Sequence, residues 1–226
     1  MNTAFNKWPV SGSPGVAGAV AVLVSSLLGS VAAFLLMGMP NGPEVAWAQA
    51  MGTMVGLSVA LVLFARTHHV SLWRALSLSL PRGSDLRVIG PAYLAFLVAL
   101  AYPPALSCLV DLPARSSPFL EKAVLSPVFW FDALLLGPLV EEIALRGFLF
   151  DWLLRRGPVV AVAVSAAVGA LVHLDVSQVL HVWPMQAVLS YVRLRTQGVG
   201  ACVLLHVLYN TLSSLLGLCL GPVLWS

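Results

Sequence analysis

Apolar residues run in long, unbroken stretches at about 16–37, 45–65, 88–110, 127–154, 158–174, 179–194 and 198–218. None of them shows the ten-residue alternating segments that mark a membrane barrel. Continuous runs of this length predict helices, seven in number, joined by short loops. An eighth, re-entrant segment is allowed within 111–136. The first run follows Lys7 and is rich in small residues, as a signal peptide would be, but its length favours an uncleaved span. Gly52 and Gly56 form a GxxxG pair in the second run, a spacing that lets two helix backbones approach closely. The segment 111–126, with Pro113, Pro118 and charges of both signs, reads as the longest outside loop.

Composition turns these helices into membrane helices. Of the 226 residues 59% are hydrophobic and 9% charged, and the mean hydropathy is +0.93. A soluble domain carries about 25% charge, so an ordinary cytosolic globule, a disordered chain and a nucleic-acid binder are all excluded. The expected architecture is all-α: one polytopic helical bundle over 1–226, with the lipid bilayer as its surroundings. Basic residues give the orientation. With the N-terminus inside, the inner loops hold Lys7, Arg66, Arg74, Arg82, Arg87, Arg155, Arg156, Arg193 and Arg195, and the outer loops only Arg115 and Lys122. That bias puts the N-terminus in the cytoplasm and the C-terminus outside. Trp47, Trp130, Trp152 and Trp183 fall near run ends, where an interfacial belt sits. Compactness and Ala/Val/Arg-rich usage suggest a bacterial inner membrane. Cys108, Cys202 and Cys219 lie in apolar runs without pair-like spacing and read as core residues.

Ionisable groups inside apolar runs are costly and point to function. They concentrate in three places: Gly137 to Gly147, Leu171 to Asp175 and Leu205 to Asn210. In the first, Gly137-Pro138 is expected to kink or break the run, with Pro138 opening a fresh helical segment. Glu141 and Glu142 then lie in its first turn, where the helix dipole favours carboxylates. Glu142 and Arg146 are four apart, acid first, and can neutralise each other as a structural pair. Glu141 points about 100° away and has no local cation, so it is left free to activate a water. In the third place His206 and Asn210 share a helix face and can donate hydrogen bonds towards one point, as an oxyanion site needs; an interhelical hydrogen bond is the plainer use. His173 offers a second imidazole to help Glu141 hold a water. His181, beside Trp183, reads as interfacial, and His68 and His69 as solvated loop residues.

Three motifs in this order resemble the CPBP intramembrane protease family, named for CAAX prenyl endopeptidases and bacteriocin-processing enzymes. Its EExxxR corresponds to Glu141-Glu142-Ile143-Ala144-Leu145-Arg146 and its HxxxN to His206-Val207-Leu208-Tyr209-Asn210. The FxxxH motif departs: Gly169 stands four residues before His173 in place of phenylalanine. The resemblance covers roughly 127–216. It implies cleavage of a peptide bond in or beside the membrane, with Glu141 activating water, His173 positioning it, His206 and Asn210 stabilising the oxyanion, and Glu142 and Arg146 supporting the site. The substrate it implies is a membrane-anchored or C-terminal-tail protein, and the sorting, myxosortase-like branch fits an outward-facing site. Glu141 lies about 21 Å along its helix from Arg155, at 1.5 Å per residue, which sets it in the outer half.

No cofactor is expected. Glu141, His173 and His206 offer a zinc ligand set, but the HExxH helix of a zinc protease is missing. Two other readings differ in class. A non-catalytic membrane peptide-binding or immunity scaffold would tolerate Glu141→Gln. A small proton-coupled carrier would use Glu141 and the histidines as a relay, though the chain shows neither an internal repeat nor a second broken helix.

Overall fold

The computed structural model describes residues 15–36, 38, 44–68, 81–109, 127–173 and 176–220. Among these residues there is no strand, and each of the seven apolar runs has its helix. In chain order they are α1 (Gly15–Leu36), α2 (Glu44–His68), α3 (Leu86–Leu109), α4 (127–154), α5 (Pro158–Leu171), α6 (Val176–Thr196) and α7 (Val199–Leu220). The loop 111–126, Lys7, Arg74, Arg115, Lys122, His69 and Asp175 lie outside the described residues. Among the described residues no helix is long and apolar enough to cross a membrane, so the fold does not itself fix the number of spans.

α1 and α2 pack backbone to backbone. A Cβ on Gly52 would collide with the main chain of Gly29 and Ser30, and one on Gly56 with that of Ser25 and Ser26. Three glycines therefore set the approach of this pair, as the GxxxG spacing predicts. Ala19, Val22, Leu57 and Ala60 then close over Ile143, Phe148 and Phe150 of α4 to form one apolar core. A second core joins Ile89 and Phe96 of α3 to Met185 and Leu189 of α6 and Leu205 and Tyr209 of α7. In it Phe96 and Tyr209 meet edge to face, ring centres 5.4 Å apart at 71°, the orientation that ring quadrupoles favour. Cys202 is buried there, its thiol directed at Leu189 O. On the outer faces of α1, α2 and α3, Leu28, Leu36, Met51, Leu94 and Val98 stand exposed.

The break expected at Gly137-Pro138 does not occur. α4 runs through in helical conformation, with α-helical pieces Pro127–Phe131, Gly137–Glu142 and Phe150–Leu154 and π-helical turns Asp132–Leu136 and Ile143–Leu149 between them. Proline removes one helical donor and crowds the preceding turn. A π turn relieves this by widening the helix by one residue per turn. The amide of Gly137 accordingly reaches back five residues to Asp132 O. Glu141 and Glu142 thus sit in the middle of a helix, away from any free N-terminus, and the dipole argument for them falls. Gly157, at φ 116°, ends α4 in a conformation that glycine adopts readily, and Pro158 opens α5.

Candidate active site

Glu142 and Arg146 are fully buried and meet as their spacing predicts, Nη1 to Oε1 at 2.9 Å. A guanidinium in an apolar interior needs more than one acceptor, and three further atoms serve it. Nη2 donates to Gln186 Oε1 at 2.6 Å, to Gln186 O at 2.9 Å and, more weakly, to Ser190 Oγ at 3.4 Å. On the acid's side, His206 Nδ1–H donates to the same Oε1 at 2.8 Å. A carboxylate oxygen only accepts, so this bond fixes the proton on Nδ1 and leaves Nε2 as the ring atom available to other groups. Glu142 therefore joins α4 to α6 through Arg146 and to α7 through His206.

Glu141 faces elsewhere. Together with Asp132, Gly137 and Val140 it lines a groove of about 570 Å³ between α1, α2 and α4, whose other walls include Leu23, Leu27, Val31 and Leu35. Its Oε2 is buried without a hydrogen-bond partner. Neighbouring acids on one helix thus differ: Glu142 is held through Oε1 by a cation and an imidazole while its Oε2 stays unpartnered, and Glu141 lines the groove with its Oε2 unpartnered.

The remaining site residues are not gathered around Glu141. His173, at the end of α5, is half-buried and hydrogen-bonds through Nδ1 to Gly169 O at 3.1 Å. Asn210 does not converge with His206; its amide Nδ2 donates to Ala133 O at 2.9 Å. That bond follows from the first π turn. Ala133 O loses Gly137 N–H to Asp132 O, and its five-residue partner would be Pro138, which has no N–H. The amide of Asn210 supplies the missing donor, leaving its second N–H for other use. Among the described residues, no hydrogen bond links Glu141 to His173 or His206, and no three His, Cys, Asp or Glu side chains are grouped to hold a metal ion.

Gln186, Ser190, Asp151 and Arg193 were not singled out by the sequence. Arg193, expected in an inner loop, is instead fully buried within α6, because that helix continues to Thr196. Its Nη2 pairs with Asp151 Oδ1 at 2.7 Å and its Nε donates to Arg146 O at 2.9 Å. The second π turn explains this partner: Phe150 N–H goes to Leu145 O, so Arg146 O takes a donor from another helix. The signal was present in the pattern, since Gln186, Ser190 and Arg193 recur at three- and four-residue spacing and form a polar stripe on α6. Gly169 belongs to the same arrangement. A Cβ there would run into the Gln186 side chain, so the glycine in place of the motif's aromatic gives Gln186 its path to Arg146.

Residues 123–212 match the family model described as type II CAAX prenyl endopeptidase Rce1-like. Members of the family are membrane proteins. No curated protein and no solved structure matches the chain.

Proposed function

We propose that this protein is an intramembrane endopeptidase of the glutamate type, cutting a membrane-anchored or C-terminal-tail protein in or next to its membrane segment. The observation that carries the reading is Glu141 itself, a groove-lining acid with an unpartnered Oε2, one residue from a carboxylate that is paired with a cation. In the proposed reaction Glu141 takes a proton from water as the oxygen attacks the peptide carbonyl carbon. His206 and the second N–H of Asn210 would stabilise the resulting oxyanion after a movement that brings the α7 face towards Glu141. Glu141 returns its proton to the departing amine, which closes the proton balance. His173 would position the water through Nε2 after a movement of the α5 end towards Glu141. The large apolar side chains exposed on α1 to α3 support seating in a bilayer, as does the family match.

The test is a comparison of protein termini, by mass spectrometry of the membrane and surface proteome, between wild-type and Glu141→Gln cells. A small set of proteins that keep uncut tails in the variant is the expected result. Unchanged termini in a variant that still shows a phenotype would reject cleavage as the function.

A further inference from the structure

Glu141 is one of two carboxylates on the groove wall. The other, Asp132, is only 7% exposed. Its Oδ2 accepts from Gln49 Nε2 at 2.8 Å, while its Oδ1 is buried without a partner. Ser26, also 7% exposed, lines the same groove with an unpartnered Oγ. The groove's other hydroxyls are occupied: Ser30 and Thr53 lie 3.3 Å apart, and Ser30 donates to Ser26 O. No lysine, arginine or histidine is among the lining residues. Nine residues of regular α-helix would set Asp132 and Glu141 on opposite faces, since they span two and a half turns. The π turn at Asp132–Leu136 adds a residue to that count and brings both to one wall.

Buried acceptors left without donors are costly. A neutral donor would satisfy the atoms; a basic side chain does so and also offsets the charge of whichever acid is ionised. We infer that the Asp132 end of the groove is a specificity pocket for a basic side chain, Lys or Arg, of the protein substrate. The inference rests on the reading of Glu141 as the base that activates water. Asp132 and Glu141 are separated by roughly 13 Å along α4, at 1.5 Å per residue. An extended peptide advances about 3.3 Å per residue, so the basic residue falls three to five residues from the cleaved bond.

The experiment uses the full-length protein in lipid nanodiscs. Its probe is a library of membrane-inserting peptides, with a fixed apolar segment and a dozen randomised flanking residues. Cleavage sites are read by mass spectrometry, and the quantity scored is the ratio of Lys and Arg to Gln and Met at each position. A charge-assisted hydrogen bond predicts about tenfold enrichment at one position in that window. The ratio should fall to about one in Asp132→Asn and return in Asp132→Glu. A flat wild-type profile across the window overturns the inference whatever the variants do, so a variant that folds poorly does not shield it. Enrichment that persists unchanged in Asp132→Asn overturns it too. If the wild type gives no cleavage that Glu141→Gln abolishes, the endopeptidase reading falls and takes this one with it; Glu141-dependent cleavage with a flat profile removes only the pocket.

Discussion

The two sides of α4 solve the problem of buried charge in opposite ways. Towards α6 and α7, Glu142, Arg146, Gln186 and His206 form a mutually bonded set in which the cation has three acceptors beyond its carboxylate partner, although Glu142 Oε2, Arg146 Nε and Gln186 Nε2 keep no partner. Towards α1 and α2, Glu141 and Asp132 each keep an oxygen without a donor, on the wall of an open groove. The first arrangement fixes its geometry around a cation. The second has no basic side chain on the groove wall and relies on the first to hold its backbone still, since Glu141 and Glu142 are adjacent residues of one helix.

The largest effect should come from removing the free acid. Glu141→Gln is expected to lower cleavage by about 10²- to 10⁴-fold, the usual contribution of a general base. Because it neutralises a carboxylate oxygen that has no partner, it should leave folding stability unchanged or raise it by up to about 1 kcal/mol. Steady-state cleavage and thermal unfolding in detergent, taken together, check both halves; a clear loss of stability would place Glu141 on the structural side of the helix.

Arg146→Met tests the paired side. Stranding Glu142 should cost about 3–5 kcal/mol, whereas replacing Glu142 and Arg146 together by apolar residues should recover most of it. Denaturant unfolding of the single and double variants measures the difference. If the single variant loses little, the network is not what rigidifies α4.

Gly169→Phe, which restores the motif's aromatic, should cost about 1–3 kcal/mol by overpacking against Gln186. Combining it with Gln186→Ala should return at least about 1 kcal/mol, a coupling that a double-mutant cycle reads directly. Additive effects would mean that the glycine and the glutamine are unrelated.

The smallest change should be Asn210→Leu, at about 1–2 kcal/mol for leaving Ala133 O unpaired. Adding Pro138→Ala supplies a backbone N–H close to that carbonyl and should cancel much of the loss. A stability loss that Pro138→Ala does not relieve would assign Asn210 some other bond; a cleavage defect that survives the rescue would point to its second N–H in the reaction.

Seven helices were legible because long apolar runs leave the chain few alternatives, and the Glu142–Arg146 pair because it is local, four residues apart on one helix. The Gly52 and Gly56 approach was readable for the same reason. What the pattern hid was the phase of α4. A π turn has no periodic signature of its own, so Pro138 read as a break, and Asp132 could not be seen to share a wall with Glu141. Arg193 was missed because a charge near the end of an apolar run reads as a loop residue until the helix is known to extend past it. His206 and Asn210 share a face as expected, yet their partners are set by carbonyl and carboxylate positions on α4 that depend on tertiary packing.

The two π turns have a consequence for assembly. Each leaves one carbonyl on α4 without its regular helical donor, and each is met by a particular side chain from a different helix: Ala133 O by Asn210 of α7 and Arg146 O by Arg193 of α6. Among lipids, one greasy helix face is nearly as good a neighbour as another, and burial of oil against oil selects weakly. Two carbonyls that accept only a correctly aligned amide or guanidinium select strongly. Shifting α6 or α7 by a single residue against α4 would forfeit the bond entirely. The same proline that disturbs the central helix thereby helps to specify the register of α7 against it.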